Sequence, residues 1–478
     1  MSIAKNYIYN VIYQIVTLIV PLITVPYISR VLGSNGVGIS AYTYSIIQYF
    51  VLLGTIGITL YGNRAIAYVR DDKNKLSETF WGIFSLQVIT TLIAFLIFIL
   101  FLKFSGTYQN IFLLQSFYLF AAMFDVSWLF MGIEDFKKTV TRNLFVKIFG
   151  VICVFIFVQT SSDLWKYVLI LSLSQFLGNL TLWLYIPKTV NKFKVTWKQI
   201  KNHLMPSVSL FIPQIAIQIY VVLNKTMLGY MSNTNEVGFF DNSDKIVKMV
   251  LSVVTAMGIV MLPRVSNTFA KGDMKKVNDY LYRSFDFSSY LSILMMFGLM
   301  GIAGAFTPWF FGPGFSKTGL LISIISPIIV LVAWSNVIGQ QYMMPVGKVR
   351  GFTLSVTAGA IVNFILNLLL IPYFKSTGTA ISTVVAEFTV TFVQLFILFG
   401  HVQYKKLFFP IWKYVVSGSI MFIIIKYIGI KLGNGIETTV IQVILGMIIY
   451  FIILFLLRSE MNQYLFRKAI KMVRRGNF

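Results

Sequence analysis

Phe80–Leu102 reads FWGIFSLQVITTLIAFLIFILFL, with no charged side chain from end to end. A helix rises 1.5 Å per residue, so about 20 such residues cover the ~30 Å hydrocarbon core of a bilayer. A helix apolar on every face is out of place in water and ordinary in lipid. Runs of the same kind recur on both sides of it, at roughly 7–27, 38–59, 110–131, 144–160, 164–186, 204–224, 246–263, 285–308, 319–343, 353–372, 378–399, 410–428 and 437–457. The pattern predicts an all-α integral membrane protein of about 14 transmembrane helices.

Composition agrees. Of 478 residues, 57% are hydrophobic and only 12% charged, with mean hydropathy +0.79. A formal net charge of +24 raises the question of nucleic acid. The cations instead follow topology. With the N-terminus placed in the cytoplasm, about three-quarters of the Lys and Arg fall in inner segments, among them Lys188, Lys192, Lys194, Lys198 and Lys201. Both termini are then cytoplasmic, and the basic tail around Arg467–Arg475 rests on anionic lipid. The N-terminal apolar stretch is too long for a signal-peptide core and reads as a retained span. Cys153 stands alone inside a span, which argues against a disulfide or a cysteine metal site. Connecting segments are too short for a separate soluble domain, so function must lie inside the bundle.

Two stretches resemble each other. Leu32-Gly33, Val37-Gly38 and Ile46 are matched by Leu228-Gly229, Val237-Gly238 and Ile246, with the same spacing from Val-Gly to Ile. Six spans separate them, which suggests two parallel six-helix lobes, 1–203 and 204–406. Residues 407–478 add two helices and the basic cytoplasmic tail. Parallel-repeat transporters bind substrate between such lobes.

Charges at or inside spans are the informative ones, because placing them in hydrocarbon is unfavourable. Arg30 ends the first span and Lys225 the seventh, while Lys245 and Lys248 open the eighth. Such cations could meet a phosphate-bearing substrate, or could simply snorkel to lipid headgroups. Arg64, Arg264 and the pair Lys348 and Arg350 lie where spans reach the cytoplasm, as anchors or as groups that greet an anionic substrate. Asn10, Gln14, Thr17, Pro21 and Thr24 form a polar stripe on the first span, and Gln214 and Gln218 share a face with Lys225. These fit a hydrated, sugar-binding cavity, or hydrogen bonds between helices. Glu387, with Thr383 and Thr391 one turn away, and Asp125 are candidates for ion coupling, or else paired structural acids.

Some patterns carry nothing. Gly312–Thr318 reads GPGFSKT, but Ser316 stands where a phosphate loop needs glycine. His203 and His401 read as loop residues without an acidic partner, so no metal or catalytic base is indicated and no cofactor is expected.

PLITVPYISRVLG (Pro21–Gly33), YGNRAIA (Tyr61–Ala67), NKTMLGYMS (Asn224–Ser232), VMLPRVSN (Val260–Asn267) and IGQQYMMPVGK (Ile338–Lys348) together resemble the Wzx-type polysaccharide repeat-unit flippases. Those belong to the multidrug/oligosaccharidyl-lipid/polysaccharide exporter superfamily. The resemblance implies a non-enzymatic, multi-pass transporter of the cell membrane. It would move an undecaprenyl-diphosphate-linked oligosaccharide from the inner to the outer leaflet by alternating access, for capsule or exopolysaccharide synthesis. It also implies a cationic central cavity and points to Arg30, Arg64, Lys225 and Arg264 as substrate contacts. Coupling to H+ or Na+, and association with a polymerase or other polysaccharide-assembly proteins, remain open. The family often has Asp before the lysine of the seventh-span motif, where this chain has Asn224, which shifts the coupling expectation to Glu387. The rival readings are a small-molecule or multidrug exporter of the same superfamily, and a membrane-embedded glycan polymerase or glycosyltransferase.

Overall fold

The structure is a computed structural model that describes the backbone of residues 3–475. The side chains of residues 3–15, 18, 212–217, 219, 220, 256–260 and 469–475 lie outside the described residues, and Asn10, Gln14 and Gln214 fall among them. Every regular element among the described residues is helical. Two compact units form, residues 1–238 and 239–478.

The first unit runs α1 (Ile3–Thr55), α2 (Ile58–Val69), α3 (Lys73–Phe104), α4 (Gln109–Gln115), α5 (Phe117–Met123), α6 (Ser127–Gly132), α7 (Phe136–Phe157), α8 (Leu164–Trp183), α9 (Ile186–Thr189) and α10 (Trp197–Met231). Helix α1 is two helices joined at Gly33, whose φ of 67° lies in the left-handed region that glycine enters without strain. Asp72 starts α3 by accepting from the Asn74 and Lys75 amides. Thr196 and Gln199 start α10 with a reciprocal capping box.

The second unit continues with α11 (Thr234–Ala270), α12 (Met274–Phe311), α13 (Ser316–Ile325) and α14 (Ile328–Ser335), then a π-helical segment, Asn336–Met343. It ends with α15 (Val349–Phe374), α16 (Ser376–Ile397), α17 (Tyr404–Phe408), α18 (Ile411–Leu432), α19 (Ile436–Leu456) and α20 (Glu460–Arg475). Helices α18 and α19 pack on each other and along α12.

Eleven helical stretches among the described residues are long and apolar enough to cross a membrane. The first of them, residues 19–69, contains the break at Gly33. Helices α10 and α11, of 35 and 37 residues, are also long enough by rise alone. Segment 225–245, between the spans expected at 204–224 and 246–263, is helical on both sides of a break at Ser232 and Asn233.

The side-chain pattern is that of a protein solvated by lipid. On α19, Val440, Ile444, Ile448 and Ile452 are exposed, whereas Thr439, Gln442, Gly446 and Tyr450 are buried. On α3, Leu92, Leu96 and Leu100 are exposed while Gln87, Thr91 and Ala94 are inside. Lipid tails are as apolar as leucine, so burial is driven by close packing and hydrogen bonding, which select small and polar residues. Gln87 shows the bonding: its Nε2 donates to the Ala122 and Asp125 carbonyls, and its Oε1 accepts from the Trp128 indole at 3.0 Å.

Candidate functional site

The two repeated stretches meet. The second half of α1 runs against the end of α10 and the first turn of α11, and glycine sets the approach. A Cβ on Gly38 would fall 1.6 Å from the Thr234 carbonyl oxygen, and one on Gly238 would fall 2.1 Å from that of Ser34. The exchange is nearly symmetric, and no side chain fits either place. Ser34 donates to Asn235 Oδ1 at 2.8 Å, and Thr234 donates to Asn35 Oδ1 at 2.5 Å. Further along, a Cβ on Gly229 would meet the Tyr42 ring, and Ser45 and Thr226 hydroxyls bond at 2.8 Å. The Val-Gly pairs thus sit in equivalent places, one turn past each helix break. The Leu-Gly pairs do not: Gly33 makes its break, whereas Gly229 lies within α10, three residues before its break.

Beyond Ser45 and Thr226 the same helices diverge around a cavity of about 730 Å³. Gln48 and Thr55 of α1, Asn63 of α2, Gln175 and Asn179 of α8, and Gln218 of α10 line it, with Tyr44, Tyr49 and Tyr118. Asp125 is the charged residue on its wall. Asp125 sits in the break between α5 and α6, where Oδ1 accepts from the Ser127 amide at 2.9 Å. Behind the wall, the buried guanidinium of Arg142 donates to Asn179 Oδ1 and lies 4.0 Å from Asp125. Asn179 also donates to the Ala121 carbonyl at 2.6 Å. The lining therefore offers amides, hydroxyls and aromatic faces, the groups that hydrogen-bond and stack on sugars, with one carboxylate already engaged.

Of the residues singled out from sequence, Gln218 and Asp125 reach this cavity. Arg30 and Lys225 line neither it nor the cavity of the second unit. Arg64 follows the cavity residue Asn63 and is exposed, its Nε donating to the Tyr68 hydroxyl at 3.1 Å. Lys245 and Lys248 each pair with an acid one turn earlier, Asp241 at 2.6 Å and Asp244 at 2.8 Å. Glu387 adds to the field at Lys248, while Thr383 and Thr391 donate to backbone carbonyls. Arg264 lines a separate cavity of about 490 Å³ in the second unit.

Sequence reasoning missed Gln48, Asn63, Gln175, Asn179 and Arg142. Arg142, just before the span expected at 144–160, and Lys147, within it, both lie inside α7, and Lys147 donates to Thr17 of the first span at 2.9 Å. His203 is not in a loop: it lies in α10, its Nδ1 2.7 Å from the Tyr61 hydroxyl and within the field of Glu78. No cluster of His, Cys, Asp and Glu among the described residues could hold a metal.

The family described as polysaccharide biosynthesis protein matches residues 3–269, more than half the chain. This chain belongs to that family. The "Putative O-antigen transporter" of Escherichia coli K12 is 24% identical over 404 residues, covering 83% of this chain and 96% of that one. Lipid II flippase MurJ of Bacillus subtilis 168 is 21% identical over 208 residues, 43% of this chain and 36% of that one. The fold is shared with a solved inward closed conformation of lipid II flippase MurJ, at TM-score 0.76 and 16% identity, over 98% of this chain and 100% of that one. An inward-facing multidrug transporter of the MOP superfamily aligns at TM-score 0.61 and 12% identity, over 80% of this chain and 97% of that one. The chain is thus an all-α, multi-pass membrane protein of the polysaccharide biosynthesis protein family, with the fold of those solved flippase and transporter structures.

Proposed function

We propose that this protein is a flippase for lipid-linked oligosaccharide repeat units. It carries an undecaprenyl-diphosphate-linked glycan from the inner to the outer leaflet of the cell membrane, for capsule or exopolysaccharide synthesis. The observation that carries this reading is the first unit's cavity, large enough for several sugar rings and walled by Gln48, Asn63, Gln175, Asn179 and Gln218. The topology that goes with it has fourteen spans, both termini cytoplasmic, and six-helix lobes at 1–203 and 204–406 followed by two further helices. The lipid tail stays in the bilayer while the glycan crosses.

In this reading the Gly38 and Gly238 crossing closes the outer end while the cavity takes up glycan from the inner side. Alternating access then requires that crossing to part. Arg30 and Lys225 receive the diphosphate on the far side, and Arg64, beside Asn63, meets it on loading. Glu387 is the proposed coupling group. A cation exporter of the same superfamily is less well supported, because Asp125, the acid on the wall, is tied to the Ser127 amide and lies near Arg142.

The test is translocation of undecaprenyl-diphosphate-linked oligosaccharide in proteoliposomes. The paired change Arg30→Ala and Lys225→Ala should lower the rate at least about tenfold, the scale of one lost charge-assisted contact. An unchanged rate removes the diphosphate site. Glu387→Gln should abolish dependence on an imposed ion gradient, and full gradient dependence in that variant removes it as the coupling group.

A further inference from the structure

The second unit's cavity of about 490 Å³ carries charges of both signs that do not neutralise one another. Arg264 of α11 and Arg283 of α12 line it, as do Asp286 of α12 and Glu460 of α20. Among the described residues, none of these four side chains makes an ion pair within 4.0 Å. Asp286 has one hydrogen bond, from the Tyr414 hydroxyl to Oδ1 at 2.5 Å, which fixes the carboxylate against α18. Lys413 and Glu460 contribute to its field from α18 and α20.

An independent observation lies on the same wall. Gln341, in the π-helical segment, is 5% exposed, and its Oε1 has no hydrogen-bond partner. Its Nε2 is spent on Asn336 Oδ1 at 3.0 Å. A buried acceptor left open is uncommon and points to a donor absent from the structure. Apolar side chains complete the lining, with Val254 and Met261 on one helix and Phe287 and Met461 facing from two others.

We propose that this cavity binds the headgroup of an aminophospholipid. The phosphate lies against Arg264 and Arg283, and the ammonium lies against Asp286, Glu460 and the open Gln341 oxygen. The first methylenes of the acyl chains lie along Val254, Met261, Phe287 and Met461. A purely anionic ligand such as a diphosphate would face two carboxylates and an acceptor with nothing to donate to them. A ligand with phosphate and ammonium on one short headgroup satisfies both sets. The charged span ends of the proposed topology put this cavity at the inner-leaflet headgroup level. Arg264 thereby leaves the glycan path, and the inference does not depend on what the first unit carries.

The test is native mass spectrometry of the full detergent-solubilised chain. Phosphatidylethanolamine, phosphatidylglycerol and undecaprenyl diphosphate are offered in equal amount. The wild type should retain phosphatidylethanolamine about tenfold over either competitor, as expected when an ammonium contact of about 1.4 kcal/mol separates them. Arg283→Gln should lower retention of every phospholipid. Asp286→Asn and Gln341→Leu should erase the preference for phosphatidylethanolamine while keeping phosphatidylglycerol bound. Glu460→Gln, on the exposed α20, should move the preference the same way without endangering the fold. Equal retention of the two phospholipids by the wild type overturns the proposal. So does preferential retention of undecaprenyl diphosphate, or a preference unchanged in Asp286→Asn and Glu460→Gln.

Discussion

The second half of α1 meets the segment formed by α10 and the first turn of α11 in two very different ways within about four helical turns. Near Gly38, the paired segments approach so closely that only glycine fits at 38 and 238. Near Gln48 and Gln218, the same segments stand apart around about 730 Å³. The difference lies in side-chain volume. Small residues and backbone carbonyls make a contact with no room to fill, while glutamines and tyrosines line the open stretch that follows. Past the cavity the segments meet again, where the Ser207 hydroxyl donates to the Ile56 carbonyl at 2.7 Å, so the amide wall lies between two contacts. Under the proposed function the glycine contact seals and the amide wall recognises the glycan.

The largest effect is expected behind the amide wall. Arg142→Ala leaves Asp125 and the Asn179 amide without their buried cation. Loss of a buried charge-assisted hydrogen bond such as that from Arg142 to Asn179 costs about 1.5–3 kcal/mol. Thermal unfolding in detergent should fall accordingly, and a melting temperature equal to wild type would show that the wall stands without Arg142. Next comes the glycine contact. Gly38→Val places methyl groups into the Thr234 carbonyl and should destabilise the protein by about 1–3 kcal/mol while bringing translocation to background. Because Gly38 and Gly238 face each other's backbone across one crossing, adding Gly238→Ala should cost less than the sum of the singles. Full additivity would mean that the two glycines do not share one contact.

Smaller effects belong to the amide wall. Gln48→Ala and Gln218→Ala each remove one neutral hydrogen-bonding group, worth about 1 kcal/mol. Half-saturating substrate should rise about fivefold for each, with stability unchanged. An effect on stability and none on saturation would make these amides structural.

The spans were legible because hydrophobicity over twenty residues is a local property, and lipid leaves no choice of backbone. Which way a polar residue faces is not local. Gln87 and Gln48 both sit in apolar runs, yet Gln87 bonds Trp128 and two carbonyls inside the bundle while Gln48 lines the cavity. Their sequence surroundings are too alike to separate them. The partner of Lys147 was hidden for a related reason: its place early in an apolar run does not tell that α7 starts eleven residues before it and that it bonds Thr17. The Val-Gly repeat was readable because close backbone approach admits one residue type. Its meaning, that the two copies touch, required the fold. The first unit's cavity has an amide wall, and in the second unit Lys245 and Lys248 are each paired with an acid of their own helix, Asp241 and Asp244.

The proposed seal can be fastened directly. In a Cys153→Ala background, Ser34→Cys with Asn235→Cys replaces a 2.8 Å hydrogen bond by a reversible covalent link. Translocation of undecaprenyl-diphosphate-linked oligosaccharide should drop to the protein-free rate when the pair is oxidised and return when it is reduced. Transport that continues unchanged through the oxidised, fully cross-linked protein would contradict the account.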